Sequence, residues 1–280
     1  MARKGSREGG TGLTASDVRK LARLAASYPG EPEEGLRRGV LALPGTPHAI
    51  DRRGRILRRE TIPGSEIDLG PPVAGKAASS AARRLGRALA LVDAAWPEAG
   101  REIRARTRLV LTPEEQGLVS YSHLHRPGVS YIRLRGKSIL DLADDLLHET
   151  AHHRLHDLEE RTPLFASVPS GGEEVRYYSP WRRALRPVRG IYHAAYTFSF
   201  RAELFRRILS RARDAEGRVG PLRLRPEKLR WIEQEARNER RQVLRALGHL
   251  GDAARRGFLT ARGRRMLATI REAASARAAA

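Results

Sequence analysis

Histidine and acidic side chains concentrated in one short stretch are the residues best able to do chemistry. His148, Glu149 and His152 form an H-E-x-x-H pattern, HETAH. Residues four apart on an α-helix lie one turn above each other, so both imidazoles point in the same direction. Two neutral imidazoles at this separation can bind one transition-metal ion, and a glutamate beside them can serve as general base. The pattern therefore predicts a metal site carried by a helix.

Two histidines do not complete such a site, because catalytic zinc and mononuclear iron both take three protein ligands. Glu173 or Glu174 follows His152 at a spacing that suits a zinc peptidase. His156 lies on the same predicted helix, and one helix rarely supplies three ligands to one ion. His193 lies near the start of a later predicted helix and can reach the ion if the two helices pack antiparallel. Spacing alone leaves the third ligand open.

The element that must position the histidines is a predicted helix over residues 138–158. Ser138 is its expected N-cap, Asp141 suits its first turn and Arg154 its last. At about 100° per residue, apolar side chains cover well over half of its circumference. This arc predicts a mostly buried helix whose polar sector carries the histidines; its members are Leu140, Leu142, Ala143, Leu146, Leu147, Ala151, Leu155 and Leu158.

The surrounding pattern predicts an α+β fold that is mostly helical. A short strand over residues 107–111 and a hairpin around Arg126-Pro127-Gly128 indicate a small, largely antiparallel sheet packed on the metal helix. The hairpin strands are expected at residues 118–125 and 129–135. Further helices are predicted over residues 13–28, 77–96, 190–212, 226–247 and 253–278, with Pro97 ending the second of them.

These elements suggest four regions along the chain. Residues 1–12 are Gly-rich and charged and are expected to form a disordered tail. Residues 13–100 form an N-terminal helical region and linker, in which the proline-rich residues 29–75 are expected to form an irregular linker or a short helix with loops. Residues 101–215 form the metal-dependent core, and residues 216–280 are helices that pack on it.

Composition restricts the ligands and the partners. The 280-residue chain has no cysteine, so a metal must be held by nitrogen and oxygen atoms. The net charge of +21 raises the question of nucleic acid. However, the charge is spread along the whole chain, and no zinc knuckle or aromatic RNP pattern accompanies it. We therefore do not expect nucleic acid as the main partner, whereas an acidic peptide is compatible with the charge.

Hydropathy indicates where the protein resides. No apolar run approaches the ~18 residues of a membrane span. The first twelve residues also contain no apolar core, so no signal peptide is expected. The expected location is the cytoplasm, without a membrane partner.

Several motifs together resemble a known family. These are LLHETAHHRL at residues 146–155, YYSPWR at 177–182, RP at 186–187 and GIYHAAYTF at 190–198, preceded by SYSHLHRPGVSYIRL at 120–134. The combination resembles the HExxH-type 2-oxoglutarate-dependent peptide β-hydroxylases, which modify ribosomally made precursor peptides. The resemblance spans residues 109–205 and leaves the rest of the chain unmatched.

The resemblance implies a metal, a co-substrate and a reaction. Fe(II) would be held by His148, His152 and His193, and 2-oxoglutarate and O₂ would be consumed. The product would be a peptide hydroxylated at the β-carbon of a side chain. Three neutral imidazoles leave the ion with its double positive charge, which the 2-oxoglutarate dianion would cancel.

The resemblance also implies a guanidinium for the distal carboxylate of 2-oxoglutarate. Arg182 of SPWR or Arg186 of RP would supply it, because a planar guanidinium binds a carboxylate through two parallel hydrogen bonds. A solvated surface charge is the alternative for both arginines. Tyr178 and Ser179 are candidates for lining the same pocket, with packing or a turn as their alternative roles.

Glu149 separates two functional interpretations. In the hydroxylase it hydrogen-bonds outside the ligand sphere. In the alternative, a zinc metallopeptidase, Glu149 is the general base for the metal-bound water, and Glu173 or Glu174 is the third ligand. Both interpretations stay open at the level of sequence.

Overall fold

The computed structural model describes residues 41–42, 49–50, 56–57, 59–62, 65–68, 75–112, 120–122, 127–166 and 175–276. This part of the chain is mostly helical with small β-sheets, which agrees with the predicted class. The predicted tail, the helix over residues 13–28, Glu173 and Glu174 lie outside the described residues. The chain divides into two compact units, Met1–Leu91 with Arg101–Leu146, and Val92–Gly100 with Leu147–Ala280.

The first unit contains short strands where the sequence predicted an irregular segment. Strands β1 (Leu41–Ala42), β2 (Ala49–Ile50) and β3 (Ile56–Leu57) pair antiparallel in that order. Strands β4 (Arg59–Ile62) and β5 (Ser65–Asp68) form a hairpin. The expectation of an irregular segment is thus corrected for these residues. Strands this short hold too few residues to show an alternating hydrophobic pattern.

Two consecutive helices follow, α1 (Gly75–Ala95) and α2 (Pro97–Arg106). The predicted helix over residues 77–96 is confirmed, and it ends before Pro97 as expected. The sequence did not predict that Pro97 would also begin a helix. Proline suits the first helical position, because its missing N–H would have no partner within the helix in any case.

A three-stranded sheet contains the predicted hairpin. Strand β6 (Leu109–Leu111) lies beside β8 (Val129–Tyr131), which pairs on its other side with β7 (Tyr121–Ser122). The β7–β8 pair is antiparallel, so the hairpin is confirmed, but β6 is parallel to β8. Strand β6 pairs with β8 instead of β7. It runs in the same direction as β8, whereas β7 runs in the opposite direction. The sheet is therefore mixed.

Helix α3 (Ile139–Arg161) carries the H-E-x-x-H pattern. Its N-terminus is closed by a reciprocal pair: the Asp141 N–H donates to Ser138 Oγ at 3.3 Å, and the Ser138 N–H donates to Asp141 Oδ2 at 2.7 Å. This is a capping-box arrangement, and it confirms Ser138 as N-cap. The predicted apolar arc is also confirmed, since all of its members are buried except the half-buried Leu158.

The second unit consists of hairpins and long helices. Its elements are hairpin β9 (Arg176–Ser179) and β10 (Ala184–Pro187), helix α4 (Val188–Asp214), hairpin β11 (Arg218–Val219) and β12 (Leu222–Arg223), and helices α5 (Pro226–Arg255) and α6 (Ala261–Ala276). The three predicted C-terminal helices are confirmed with shifted ends. Helix α6 begins later than predicted, because Thr260 caps it by accepting the Gly263 N–H at 3.1 Å.

The core of this unit joins the second half of α3 to α4, α5 and α6. Ala151 and Leu155 of α3 belong to the same buried cluster as Ile191, Tyr192 and Ala195 of α4. Apolar burial therefore fixes the position of α4 against the helix that carries the histidines. None of the helices in the described part of the chain has the length and apolar character that a membrane crossing requires.

Gly263 of α6 generates a stability prediction. A Cβ at this position would lie 2.2 Å from the Leu164 carbonyl oxygen, and the Gly263 carbonyl accepts the Tyr192 hydroxyl at 2.9 Å. We expect Gly263→Ala to lower the free energy of unfolding by about 2 kcal/mol or more, because backbone would have to move. Urea denaturation measures this change.

Gly248 is the matched control for that substitution. It lies in α5, and no neighbouring atom lies within 4 Å of the position that a Cβ would occupy. Gly248→Ala should therefore raise stability by roughly 0.5–1 kcal/mol through helix propensity. Equal effects of the two substitutions would contradict the close approach of α6 to Leu164.

Candidate metal centre

Helix α3 presents three histidines in successive turns. The ring centroids of His148 and His152 are 5.0 Å apart, and those of His152 and His156 are 6.0 Å apart. The four-residue spacing therefore gives two overlapping pairs on one face of the helix. The H-E-x-x-H motif contains only the first pair.

Helix α4 contributes a fourth imidazole to this face. The His193 ring centroid lies 5.7 Å from that of His152 and 5.3 Å from that of His156. One nitrogen from each of His152, His156 and His193 lies within 4.8 Å of the other two. Among the described residues these three can converge on a single ion. Of the predicted ligand set, the structure brings together His152 and His193, with His156 in the place expected for His148.

His148 instead faces an aromatic stack. Its ring meets Phe198 of α4 edge-on, with centroids 4.7 Å apart, and Trp181 stacks on Phe198 at 4.6 Å with 8° between the ring planes. His148 still adjoins His152, so its role as a ligand stays a prediction. The difference arises because α4 places His193 level with the second pair of α3 histidines.

Two imidazoles of the cluster, those of His152 and His156, are held neutral. Burial, together with the neighbouring imidazoles, lowers the pKa of His152 well below its usual value. Burial and the adjacent His193 lower the pKa of His156 to about 4. A neutral imidazole keeps a nitrogen lone pair, which is the form that binds a metal ion. His152 and His156 therefore offer nitrogen donors at neutral pH.

Glu159, one turn beyond His156, orients the imidazole from α4. The Glu159 carboxylate accepts a hydrogen bond from His193 Nε2 at 2.7 Å, and Arg189 donates to its other oxygen. Burial alone would raise the pKa of Glu159, but these two donors lower it below its usual value. Metal-binding histidines ordinarily have such a carboxylate on the nitrogen that does not face the ion. Glu159 was not among the predicted site residues, although its position three residues after His156 places it on the same face.

The remaining predicted site residues are not among the three histidines that converge. Glu149 is buried, with 2% of its surface exposed. Ser179 is also buried, and its hydroxyl accepts the Arg182 backbone N–H at 3.3 Å, which is the turn role that the sequence left open. Tyr178, Arg182 and Arg186 are exposed. Their roles in co-substrate binding stay predictions.

The guanidinium that reaches the cluster belongs to Arg189, which was not among the predicted site residues. Arg189 lies at the N-terminal end of α4 and contacts the histidines through Glu159. Its side chain is 53% exposed, so it remains open to solvent while it holds Glu159. The signal that could have indicated it is its position one helical turn before His193.

Comparison of the chain with protein-family models and with curated proteins found no match. The resemblance to HExxH-type peptide hydroxylases therefore rests on the motifs in the sequence itself.

The two histidine pairs of α3 generate a metal-binding prediction. We expect His156→Ala to weaken Zn(II) or Co(II) binding by about a hundredfold or more, and His148→Ala by less than about tenfold, because only His156 lies with His152 and His193. Competition titration under nitrogen measures the affinities.

His249 of α5 is the control for removal of a histidine, because it packs against Tyr177 and does not belong to the cluster. His249→Ala should leave metal affinity unchanged. Loss of binding in His148→Ala with full binding in His156→Ala would show that the motif pair holds the ion.

A buried acid behind the aromatic stack generates a pH prediction. Burial raises the pKa of the Glu239 carboxyl to about 7, an effect partly offset by Arg201 and Trp181. The folded protein thus binds this proton more tightly than the unfolded chain does, so Glu239 costs stability increasingly as pH rises from about 4.5 to 7.

Glu239→Gln removes this cost. Relative to the parent protein, we expect the variant to gain stability across that pH range, by up to about 3 kcal/mol. Urea denaturation at pH 5 and pH 8 measures the gain. A stability difference that is the same at both pH values would show that Glu239 is ionised at pH 5 in the folded protein.

Proposed function

We propose that the chain is an Fe(II)- and 2-oxoglutarate-dependent oxygenase that hydroxylates the β-carbon of a side chain in a ribosomally made peptide. The main support for the proposal is the convergence of imidazoles from two helices. His193 of α4 lies beside His152 and His156 of α3, with nitrogens within 4.8 Å of one another. The motifs shared with the peptide β-hydroxylases supply the choice of reaction.

The donor set suits such a metal. The chain has no cysteine, so the cluster offers imidazole nitrogens as donors, and the carboxylate of Glu159 is hydrogen-bonded to His193. Imidazole nitrogen is a common ligand of iron and of zinc. His152 belongs to both possible ligand sets, with His156 favoured by proximity and His148 by the motif. When bound, the iron with 2-oxoglutarate and O₂ would supply the oxidising chemistry.

The protein's own side chains would position and shield this chemistry. Glu159 holds the His193 ring in place and is itself fixed by Arg189. Phe198 and Trp181 form an apolar wall against His148 and would exclude water from that side. Glu149, buried on α3, would act outside the ligand sphere.

The co-substrate needs a cationic partner for its distal carboxylate. Arg182 and Arg186 lie exposed on the β9–β10 hairpin, which leads directly into the helix that carries His193. A guanidinium there would bind a carboxylate through two hydrogen bonds. This assignment follows the motif match, and Arg183 and Arg189 are further guanidinium groups within the same segment.

Co-substrate turnover tests the proposal. Protein purified without metal, loaded with Fe(II) and supplied with O₂ and with ascorbate as reductant, should convert 2-oxoglutarate to succinate and CO₂. His193→Ala should reduce succinate release by at least about a hundredfold, since a ligand is lost. Glu149→Gln should keep the rate within about tenfold, because the hydroxylase needs no general base at this position. Chromatographic detection of succinate measures all three proteins.

The zinc peptidase alternative gives the opposite pattern. It predicts no succinate from any of these proteins, and Zn(II)-dependent cleavage of a casein substrate that Glu149→Gln abolishes. That outcome would overturn the proposal. Binding of 2-oxoglutarate by the Zn(II) protein, measured by calorimetry, separates a failed reaction from a missing co-substrate site.

A further inference from the structure

A groove in the second unit lies away from the histidine cluster. It has a volume of about 470 Å³ and is formed by α3, α4 and α6 together with Trp96. Its floor is apolar, with Leu158, Tyr196, Phe200, Met266 and Ile270 among the lining residues. This volume falls within the range of protein pockets that bind ligands.

Aromatic contacts hold the groove open. Trp96 stacks on Phe200 with ring centroids 5.8 Å apart, and Phe200 meets Tyr196 edge-on at 5.1 Å. The Arg207 guanidinium lies 4.7 Å from the centre of the Trp96 ring and packs against it. These aromatic residues line one wall, so the groove does not need to reorganise in order to accept an apolar side chain.

The charged side chains around the groove leave an excess of positive charge at its rim. Glu203 lines the groove and is 2% exposed, and Arg206 and Arg207 both hydrogen-bond to its carboxylate, which compensates its charge. Arg262 and Arg265 are exposed on the α6 rim, and neither guanidinium makes an ion pair with any residue in the described part of the chain. The groove therefore combines an apolar floor with a positive rim.

The groove and the histidine cluster occupy different sides of α3. Arg154 and Leu158 line the groove, whereas His152 and His156 belong to the cluster. At about 100° per residue, Arg154 is displaced by roughly half a turn from both histidines. A ligand in the groove would leave the metal ligands accessible.

The length of the groove indicates an elongated ligand. Its α6 wall is a single face of that helix from Arg262 to Ala273, which at 1.5 Å per residue is about 16 Å long. That length matches about three turns of a docked helix, which would present apolar residues at positions i, i+3, i+4 and i+7. Met266 at the centre of this face can adapt to different apolar side chains.

We propose that this groove binds an acidic amphipathic segment of the peptide substrate, with its apolar side chains on the floor and its carboxylates on Arg262 and Arg265. The inference rests on the proposed function, because it names how the same substrate is held away from the reacting residue. Guanidinium groups suit this role, since they pair with carboxylates in fixed geometry.

Fluorescence anisotropy on the metal-free full chain tests the inference. The probe is a labelled helical peptide of about fourteen residues with leucines on one face and glutamates on the other. We expect saturable binding, at least about tenfold tighter than that of a counterpart with lysines in place of the glutamates. The double variant Arg262→Glu/Arg265→Glu should weaken binding of the acidic peptide by about tenfold or more.

Two further variants separate local from general effects. Arg225→Glu/Arg245→Glu makes the same change in net charge at exposed arginines outside the groove and should leave binding nearly unchanged. Ala273→Trp fills the groove without a change of charge and should weaken binding. Because the arginines are exposed, their variants should fold even if the tryptophan variant does not.

Three results would overturn the inference. They are equal binding of the acidic and lysine peptides, equal weakening by the two double variants, and occupation of the groove by laurate with no binding of the acidic peptide. The last result would assign the groove to an acyl chain. Because the assay uses no metal or 2-oxoglutarate, its failure leaves succinate release intact, and loss of succinate release leaves the binding result standing.

Discussion

The packing of α4 against α3 is the interaction that creates the candidate centre. Ala151 and Leu155 of α3 and Ile191, Tyr192 and Ala195 of α4 are buried in one cluster, and each has 2% or less of its surface exposed. Burial of these side chains drives the two helices together and sets which turns face each other. The imidazole of His193 is brought beside His152 and His156 as a consequence. The apolar contact between α3 and α4 thus determines how the three histidines are arranged.

The same pair of helices carries two distinct features on its two sides. On one side burial keeps His152 and His156 neutral, and Glu159 with Arg189 fixes the imidazole of His193. On the other side the groove exposes aromatic and apolar surface under a positive rim. In the proposed function, a peptide segment held in the groove would raise the local concentration of the reacting residue at the metal.

Local sequence signals predicted the elements well, and tertiary packing decided what they did not predict. Ser138 and Asp141 identified the start of α3 because a capping box involves only neighbouring residues. The four-residue spacing predicted paired imidazoles, but His148–His152 and His152–His156 are equivalent by that rule. The position at which α4 packs along α3 determines which of the two pairs lies beside His193. That position depends on the packing of the whole core. Pro97 shows the same limit, since it predicted the end of α1 but not the beginning of α2.

The proposed centre requires that three imidazoles, two from successive turns of α3 and His193 from α4, bind one ion. Anomalous diffraction from crystals of the Fe(II)- or Zn(II)-loaded protein would locate that ion and its ligands. We expect an ion at about 2.0–2.2 Å from nitrogens of His152, His193 and a second α3 histidine, with Glu159 still on the far nitrogen of His193. An ion bound by His148 and His152 with a carboxylate in place of His193 would contradict this assignment and would indicate a hydrolase.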